Sequence, residues 1–370
     1  MLKNNEIKAR QIGLFFIAFL PVTKIFIMPK DASNIANEDM WISILISLFL
    51  DAIGLVSAIL LYKKHGTSFY SILETNLNKF FSKAILFLYF VFFLLKAFTP
   101  IYEQKNFIQN TLYETAPTAF TFVPFFILSV YLCTRKLRAI GRLSDLFWIF
   151  TVVGIILLTA LSIESADFLA FLPIGANKAK ILKANYYITP WFCDAPYFLF
   201  MIGKFRKNKN STKIILLSFL ASALLTLIFA LTFYSVFTFI AGRELFALAE
   251  ISKYSTVINS IGRIDYIGIF LLLLSGTISA ILPIYFSAEI LTKILNLKSA
   301  LIPAIIINLI FFIAFIFFEP FHVLIITFIH KIASPYLLVL ANLLPFAFLI
   351  LRKKKTGLKI NGEYNALFKK

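Results

Sequence analysis

The chain is divided into ten apolar segments, most of them about 20 residues long, that are separated by short polar loops. An α-helix rises about 1.5 Å per residue, so about 20 apolar residues cross the hydrocarbon core of a bilayer. Backbone groups in hydrocarbon need internal hydrogen bonds, which favours helices over open strands. The segments cover residues 12–36, 41–62, 84–102, 119–133, 145–163, 184–203, 213–240, 265–291, 300–318 and 332–351. The sequence therefore predicts an all-α membrane protein with ten transmembrane helices.

The first and the sixth apolar segments are interrupted near their middles. Residues 21–24 (Pro-Val-Thr-Lys) interrupt the first, and residues 189–196 (Thr-Pro-Trp-Phe-Cys-Asp-Ala-Pro) interrupt the sixth. Broken helices at corresponding places in two halves are typical of secondary transporters, whose substrate sites lie there near the bilayer midplane. With five segments in each half, we predict a 5+5 inverted repeat of residues 12–163 and 184–351 within a single membrane domain, residues 1–370. The alternative is that the prolines only kink two continuous helices.

The net charge of +18 follows the predicted topology. If the N-terminus is cytoplasmic, the inner loops and both termini hold 25 of the 36 lysines and arginines and the outer loops hold 9. This asymmetry follows the positive-inside rule and predicts that both termini are cytoplasmic. The basic tail, residues 352–370, is then expected to contact anionic lipid. The charge gives no reason to expect nucleic-acid binding.

The two interruptions together predict a ligand site. In the predicted topology the second half of each broken helix begins at its interruption, so two helix N-termini favour an anionic group there. The freed carbonyls of the first halves favour a cation or an ammonium group. A zwitterion such as an amino acid fits both preferences. The candidate ligand-binding residues are Val22, Thr23, Lys24, Lys96, Trp191, Phe192, Cys193 and Asp194.

Ionisable residues in the middle of a span are costly unless they are paired or hydrated. Lys24 and Asp194 each lie alone in an interrupted segment, so we predict that they form an ion pair when no ligand is bound. Asp194, followed by Ala-Pro, is also a plausible helix N-cap. Lys96 lies one turn before Pro100 and is expected to face the same cavity. Asp51 is either a polar contact between helices or an ion site.

Other polar residues have simpler explanations. Ser275 and Ser279 are packing hydroxyls or cation ligands, and Glu289 with Lys293 is predicted to be an i, i+4 ion pair. His330 is placed on the outer side without a chemical role. The stretch 244–250 has helical spacing and is expected to form a short surface helix.

No catalytic constellation, cofactor motif or metal-ligand spacing is present in the sequence, so no catalytic, cofactor-binding or metal residues are predicted and an enzyme is not expected.

Several short motifs resemble those of one membrane family in the same order and at similar spacing. Pro29 followed by Asp39-Met40-Trp41-Ile42-Ser43 is similar to the P…DAWIS pattern of the spore-germination receptor B-subunit permeases. The other matches are residues 111–117 (TLYETAP) to an LPETP loop, residues 135–142 (RKLRAIGR) to a GLEVIAR-like turn, and Ser252-Lys253 with residues 261–265 (IGRID) to an SK…RIE/D entry. Together these matches extend over nearly the whole chain.

The resemblance implies a place among the amino acid–polyamine–organocation transporters, with the ten-helix inverted-repeat fold. It also implies a small germinant, often an amino acid, as ligand, the inner spore membrane as location, and A-type and C-type receptor subunits as partners. The chain departs from the family at the interruptions. It has Val22-Thr23-Lys24 where members tend to carry a glycine-containing break, and Cys193 and Asp194 where glycine and glutamate are common. The identity of the ligand therefore does not carry over.

These observations predict a germinant-sensing membrane subunit that binds a small molecule at the two interruptions. One alternative is an amino-acid permease, either coupled to an ion or exchanging substrates. Another is a scaffold subunit whose pocket is filled by Lys24. All three place the chain in the cytoplasmic membrane or the inner membrane of a spore.

Overall fold

The structure is a computed structural model that describes residues 7–112, 117–206, 210–253 and 265–350. The predicted tail 352–370 and parts of the motifs at 111–117 and 261–265 lie outside the described residues. The helices are α1 (Ala9–Phe19), α2 (Met28–Ala36), α3 (Met40–His65), α4 (Phe69–Asn76), α5 (Lys79–Phe107), α6 (Thr118–Cys133), α7 (Leu137–Ser162), α8 (Lys178–Ile188), α9 (Ala195–Met201), α10 (Ser211–Phe237), α11 (Ala247–Lys253), α12 (Asp265–Ile294), α13 (Leu301–Phe317), α14 (His322–Phe328), α15 (Ser334–Leu338) and α16 (Leu344–Ile350). Two π-helical turns, Ile329–Ala333 and Val339–Leu343, join the last three helices.

Six helical stretches among the described residues are long and apolar enough to cross a membrane. They are Met28–His65, Lys79–Leu112, Leu137–Ser165, Ser211–Arg243, Tyr266–Ile294 and Glu319–Ile350. Two further apolar helices, Phe122–Cys133 and Leu301–Phe317, are shorter. Many leucine, isoleucine and phenylalanine side chains on these helices are exposed, for example Leu224, Ile228, Ile306 and Ile310. An apolar exterior of this extent is expected of a surface that faces lipid.

The third and the tenth helices are longer than the sequence predicts. The third continues to Phe107 instead of ending near residue 102, and the tenth begins at His322 instead of near 332. The polar residues Glu103 and Lys105 gave the stretch after 102 the composition of a loop. Both are buried against protein, and Lys105 pairs with Glu319 at the start of the tenth helix. Tertiary pairing therefore extends two helices that hydropathy alone ends early.

The helix predicted near 244–250 is shifted and is not on the surface. It occupies Ala247–Lys253, and most of its side chains are buried. The Ala247 N–H donates a hydrogen bond to the Phe26 carbonyl at 2.8 Å, so the helix packs against the segment that follows the first interruption.

Helices α1 and α12 lie in the interior of the bundle. Helix α1 packs against α7 and α10, and α12 packs against α5 and α7. This arrangement surrounds the first interrupted segment with protein, so its polar groups find partners in neighbouring helices.

A short parallel ladder joins the start of α1 to the chain after α9. Strand β1 (Ile7–Lys8) pairs with strand β2 (Phe205–Arg206). Two ion pairs lie at the same end of the bundle. Arg10 is 3.0 Å from Asp145, and Lys204 pairs with Glu289. The predicted Glu289–Lys293 pair is therefore wrong, because Lys204 comes close to Glu289 from the other interrupted segment.

Candidate functional site

The first interruption lies between α1 and α2. α-Helical structure ends at Phe19 and resumes at Met28, and a 3₁₀ turn covers Val22–Lys24. Pro21 has no N–H to donate to the preceding turn, which is the local reason that α-helical bonding stops there.

The last carbonyl groups of α1 are satisfied by side chains. The Thr151 hydroxyl donates to Ala18 O at 2.6 Å, the Ser279 hydroxyl lies 3.1 Å from Phe19 O, and Lys24 Nζ donates to Leu20 O at 3.0 Å. The hydroxyl of Ser279 is thus a contact between helices, which was one of the two predicted roles for the hydroxyls of this helix. Side-chain donors therefore replace backbone donors at three carbonyls next to the interruption, which is how buried backbone groups at a helix end are commonly satisfied.

The second interruption lies between α8 and α9. A 3₁₀ turn covers Thr189–Trp191, and Cys193 has a positive φ of 61° before α9 begins at Ala195. Lys96 Nζ, on α5, donates to Pro190 O at 3.0 Å, to Trp191 O at 3.1 Å, and to Phe192 O. An ammonium group has three N–H donors, so one lysine satisfies all three carbonyls.

The two interruptions meet at Asp194. Lys24 Nζ lies 2.5 Å from Asp194 Oδ2, so the predicted Lys24–Asp194 pair is present. Lys96 Nζ lies 2.9 Å from the other oxygen, Oδ1. One carboxylate therefore joins a lysine of the first interrupted segment to a lysine of the third helix.

Asp51 caps the helix that begins after the second interruption. Its Oδ1 accepts hydrogen bonds from the backbone N–H of Asp194 at 2.7 Å and of Ala195 at 3.2 Å. Asp194 occupies the N-cap position, but its side chain makes no cap hydrogen bond. The predicted capping role of Asp194 is therefore wrong. Its carboxylate is held by the two lysines, and Asp51, reaching across from α3, takes the cap role as a polar contact between helices.

The four ionisable groups, two lysines and two aspartates, form a deeply buried cluster. The exposed fractions are 3% for Lys24, 7% for Lys96 and 2% for each of Asp51 and Asp194. Lys24 Nζ also lies 5.3 Å from the centre of the Phe192 ring, within reach of a cation–π contact. Charges removed from water at this depth are tolerated only when they are paired and hydrogen-bonded. Here Asp194 meets that condition through its pairs with Lys24 and Lys96. Asp51 accepts only the two backbone hydrogen bonds at Oδ1, and its Oδ2 has no hydrogen-bond partner among the described residues.

The remaining candidate residues differ in their surroundings. Val22, Phe192 and Cys193 are buried around the cluster, and the Thr23 hydroxyl donates to Leu20 O at 2.9 Å. The ring of Trp191 lies in another environment: its Nε1–H donates to Glu103 Oε1 at 2.6 Å, and it lines a cavity of about 340 Å³.

Sequence reasoning missed two buried residues that line this cavity, Glu103 and His330. Glu103 was assigned to a loop, and His330 to the outer surface. A signal for Glu103 was available. Lys96, Thr99 and Glu103 are spaced i, i+3 and i+7, and this spacing places all three on one face of a helix that continues past residue 102.

Helices with an apolar exterior around a buried ionic centre define an integral membrane protein. The chain belongs to the spore germination protein family, whose model matches residues 7–323. This is a family of spore permeases, so the chain is a membrane permease-type protein and not an enzyme. The predicted family membership is thereby confirmed. No curated protein sequence matches the chain significantly.

The fold is similar to that of a solved transporter. A crystal structure of a mutant manganese transporter from Eremococcus coleocola aligns with a TM-score of 0.54 at 13% identity, over 92% of this chain and 75% of that one. A second mutant of that transporter aligns over the same shares at 13% identity with a TM-score of 0.48. At this identity the first alignment shows a shared fold only.

Proposed function

We propose that the protein is the germinant-sensing membrane subunit of a spore germination receptor, and that it binds a small molecule of the amino-acid class at the interruptions of the first and sixth segments. The observation that carries the proposal is the buried contact of Lys24, Asp194 and Lys96 between the two interruptions. The family membership gives the biological context, and the shared transporter fold gives the architecture.

The architecture we propose is a ten-helix bundle with a 5+5 inverted repeat. In this proposal α3, the other five long helical stretches and the two shorter apolar helices are eight spans, and the interrupted pairs α1–α2 and α8–α9 are the other two. The repeats cover about 12–163 and 184–351 within the single domain 1–370, and the tail 352–370 follows the last span. Both termini are cytoplasmic in this proposal, and A-type and C-type receptor subunits are the partners.

The internal ion pair suggests how a zwitterion is recognised. A ligand carboxylate would replace Asp194 beside Lys24, and the ligand ammonium would replace Lys24 beside Asp194. Lys96 would keep its hydrogen bonds to the carbonyls of residues 190–192, which preserve the shape of the second interruption. Val22, Thr23, Phe192 and Cys193 are proposed as neighbouring walls. Binding then changes the conformation only if the ligand has different affinities for the two states.

The second candidate is an amino-acid permease, and the shared transporter fold favours it. A manganese substrate does not fit the cluster. Divalent manganese prefers oxygen ligands, mainly carboxylates, but both oxygens of Asp194 face lysine ammonium groups. In the described part of the chain, no three His, Cys, Asp or Glu side chains are grouped to hold a metal ion.

A ligand screen on the purified protein tests the proposal. We expect at least one compound from a panel of amino acids, sugars and nucleosides to raise the thermal unfolding temperature, because a ligand that binds only the folded state stabilises it. Lys24→Met should abolish that shift, whereas Lys204→Met, which removes a lysine paired with Glu289 away from the cluster, should retain it. If every compound that stabilises the wild-type protein also stabilises Lys24→Met, the proposed site is contradicted.

Uptake measurements separate the two candidates. Proteoliposomes that contain the protein should bind the stabilising compound without accumulating it if the protein is a sensor. Accumulation of the labelled compound would favour the permease. Co-purification of A-type and C-type subunits with the tagged protein would support the receptor assignment.

A further inference from the structure

The cavity beside Trp191 is separate from the ionic cluster in its lining. Its volume is about 340 Å³, and its walls come from both interrupted segments, the third helix and the tenth helix. Lys24, Lys96 and Asp194 are not among the lining residues. Trp191 connects the two places, because its ring lines the cavity while its carbonyl accepts a hydrogen bond from Lys96.

Three buried polar atoms in this cavity wall lack hydrogen-bond partners among the described residues. They are Glu103 Oε2, His330 Nε2 and Thr99 Oγ1. Glu103 is 1% exposed and His330 is fully buried. A buried polar atom without a partner is costly, and native proteins rarely keep several of them together without water or a ligand. Because all three atoms line the same cavity, we expect the cavity to hold a polar ligand.

The side chains that line the cavity favour a ligand group that donates hydrogen bonds and carries a positive charge. Glu103 Oε1 accepts from Trp191, which leaves Oε2 as a free carboxylate acceptor. His330 Nδ1 lies 2.8 Å from the Tyr187 carbonyl, so the neutral ring carries its proton on Nδ1 and presents Nε2 as a second acceptor. The rings of Trp191 and Tyr187 line the same space and attract cations through their faces.

We propose that this cavity binds the ammonium group of a small organic molecule, with Glu103 and His330 as acceptors and the rings of Trp191 and Tyr187 as the surrounding wall. The volume is at the lower end of the range of small-molecule pockets, about 300–1,000 Å³, and fits an amino acid or an alkylamine. The Lys30–Asp31 ion pair, 2.9 Å apart, also lines the cavity and offers an ammonium group for a ligand carboxylate. This cavity is a second site, separate from the one proposed between Lys24 and Asp194, and the inference does not depend on the proposed function.

The test uses the full-length protein in detergent. The probes are the common L-amino acids, small alkylamines, and the carboxylic acids that match those amino acids without the amino group. We expect at least one ammonium compound to raise the unfolding temperature and to change the tryptophan fluorescence of the protein, and its matching carboxylate to do neither. If no ammonium compound binds, or if the carboxylates bind equally well, the proposal is overturned.

Two variants locate the binding. Glu103→Gln should weaken the affinity for the ammonium compound by about 10- to 100-fold, the range expected for a hydrogen bond to a charged group. Thr99→Val, which keeps the size of the side chain, should weaken it by a few fold. The matched control Glu289→Gln removes a carboxylate that pairs with Lys204 outside the cavity, and its affinity should stay within about twofold. Folding of each variant is checked by its unfolding temperature without ligand.

Germination assays distinguish this inference from the proposed function. Unchanged affinity in Glu103→Gln removes the cavity site and leaves the sensing proposal intact. Lost affinity in Glu103→Gln, together with unchanged germination of spores that carry the variant, retains the cavity site and leaves the sensing proposal to its own test with Lys24→Met. Loss of both affinity and germination supports the cavity site and shows that its ligand takes part in germination.

Discussion

Asp194 has two ionic partners, whereas Lys24 has one. The carboxylate of Asp194 lies 2.5 Å from Lys24 Nζ and 2.9 Å from Lys96 Nζ. Removing Asp194 therefore leaves two ammonium groups and one carboxylate, that of Asp51, in a buried space. Removing Lys24 leaves one ammonium group and two carboxylates. Both changes give an unbalanced charge, but the first also leaves the two lysines facing each other without the group between them.

We expect Lys24→Met and Asp194→Asn each to lower the free energy of unfolding by roughly 3–5 kcal/mol, the cost of breaking a buried ion pair. The effect of Asp194→Asn should be the larger. The double variant keeps one charge of each sign, Lys96 and Asp51, so its loss should be smaller than the sum of the two single losses. Unfolding of the four proteins in detergent, followed by circular dichroism, measures the coupling.

Lys204→Met is the matched control for this cycle. Its combination with Asp194→Asn should be additive, because Lys204 pairs with Glu289 and not with the cluster. Strict additivity of Lys24→Met and Asp194→Asn would mean that the two side chains do not interact in the folded protein.

At the scale of the elements, the second interruption contains a strained residue. Cys193 has a φ of 61°, in the left-handed region, where a side chain with a Cβ costs about 1–2 kcal/mol. Glycine adopts this conformation freely. The position thus has a backbone requirement that cysteine meets only under strain.

We expect Cys193→Gly to be more stable than Cys193→Ala by about 1 kcal/mol, because both lose the thiol and only glycine relieves the strain. Cys133, the last residue of α6, is the matched control. There glycine should bring no gain over alanine, because Cys133 is not in the left-handed region. Thermal unfolding of the four variants gives both differences, and the same order at both positions would contradict the strain argument.

Gly54 allows α3 to approach the helix that follows the second interruption. A Cβ at this position would lie 2.9 Å from the Ala195 Cβ, 2.8 Å from the Ala341 carbonyl and 2.5 Å from Asn342 Oδ1. The close approach brings Asp51, one turn earlier on α3, within reach of the backbone N–H groups that it caps. The short distances are therefore part of the geometry of the cluster.

We expect Gly54→Ala to destabilise the protein by about 1–3 kcal/mol, the usual cost of overpacking. The backbone carbonyl of Ala341 and the Cβ of Ala195 cannot move without shifting a helix. Gly141→Ala is the control, because its nearest neighbours are flexible side-chain atoms at 3.2 Å. Unfolding temperatures of the two variants should differ clearly, and equal values would indicate that α3 shifts without cost.

At the scale of the whole molecule, hydropathy predicted the helical membrane class, because the cost of exposing backbone to hydrocarbon acts on every apolar segment alike. The Lys24–Asp194 contact was predictable for a related reason. Two lone opposite charges in interrupted spans have few other ways to be compensated. Both inferences need only composition and position along the chain.

The remaining parts of the site depend on tertiary register, which the sequence does not reveal. Lys96 was expected to face the cavity, but its hydrogen bonds to the carbonyls of residues 190–192 depend on how α5 packs against the second interruption. The cap that Asp51 provides depends on the close approach at Gly54. Glu103 was missed because its helix continues where hydropathy falls.

The orientation in the membrane is the last prediction, and it rests on the distribution of charge. The predicted inner loops and termini carry 25 lysines and arginines against 9 on the outer side, and such an excess is retained in the cytoplasm. Asn78, before α5, is then cytoplasmic, and Asn177, before α8, is external; both are exposed.

The native cysteines, Cys133 and Cys193, are buried and should give little background labelling. In intact cells, a maleimide that cannot cross the membrane should label Asn177→Cys at once. It should label Asn78→Cys only after the membrane is permeabilised. The reverse pattern would place both termini outside and would leave the fold and the ionic cluster unchanged, since neither depends on which side faces the cytoplasm.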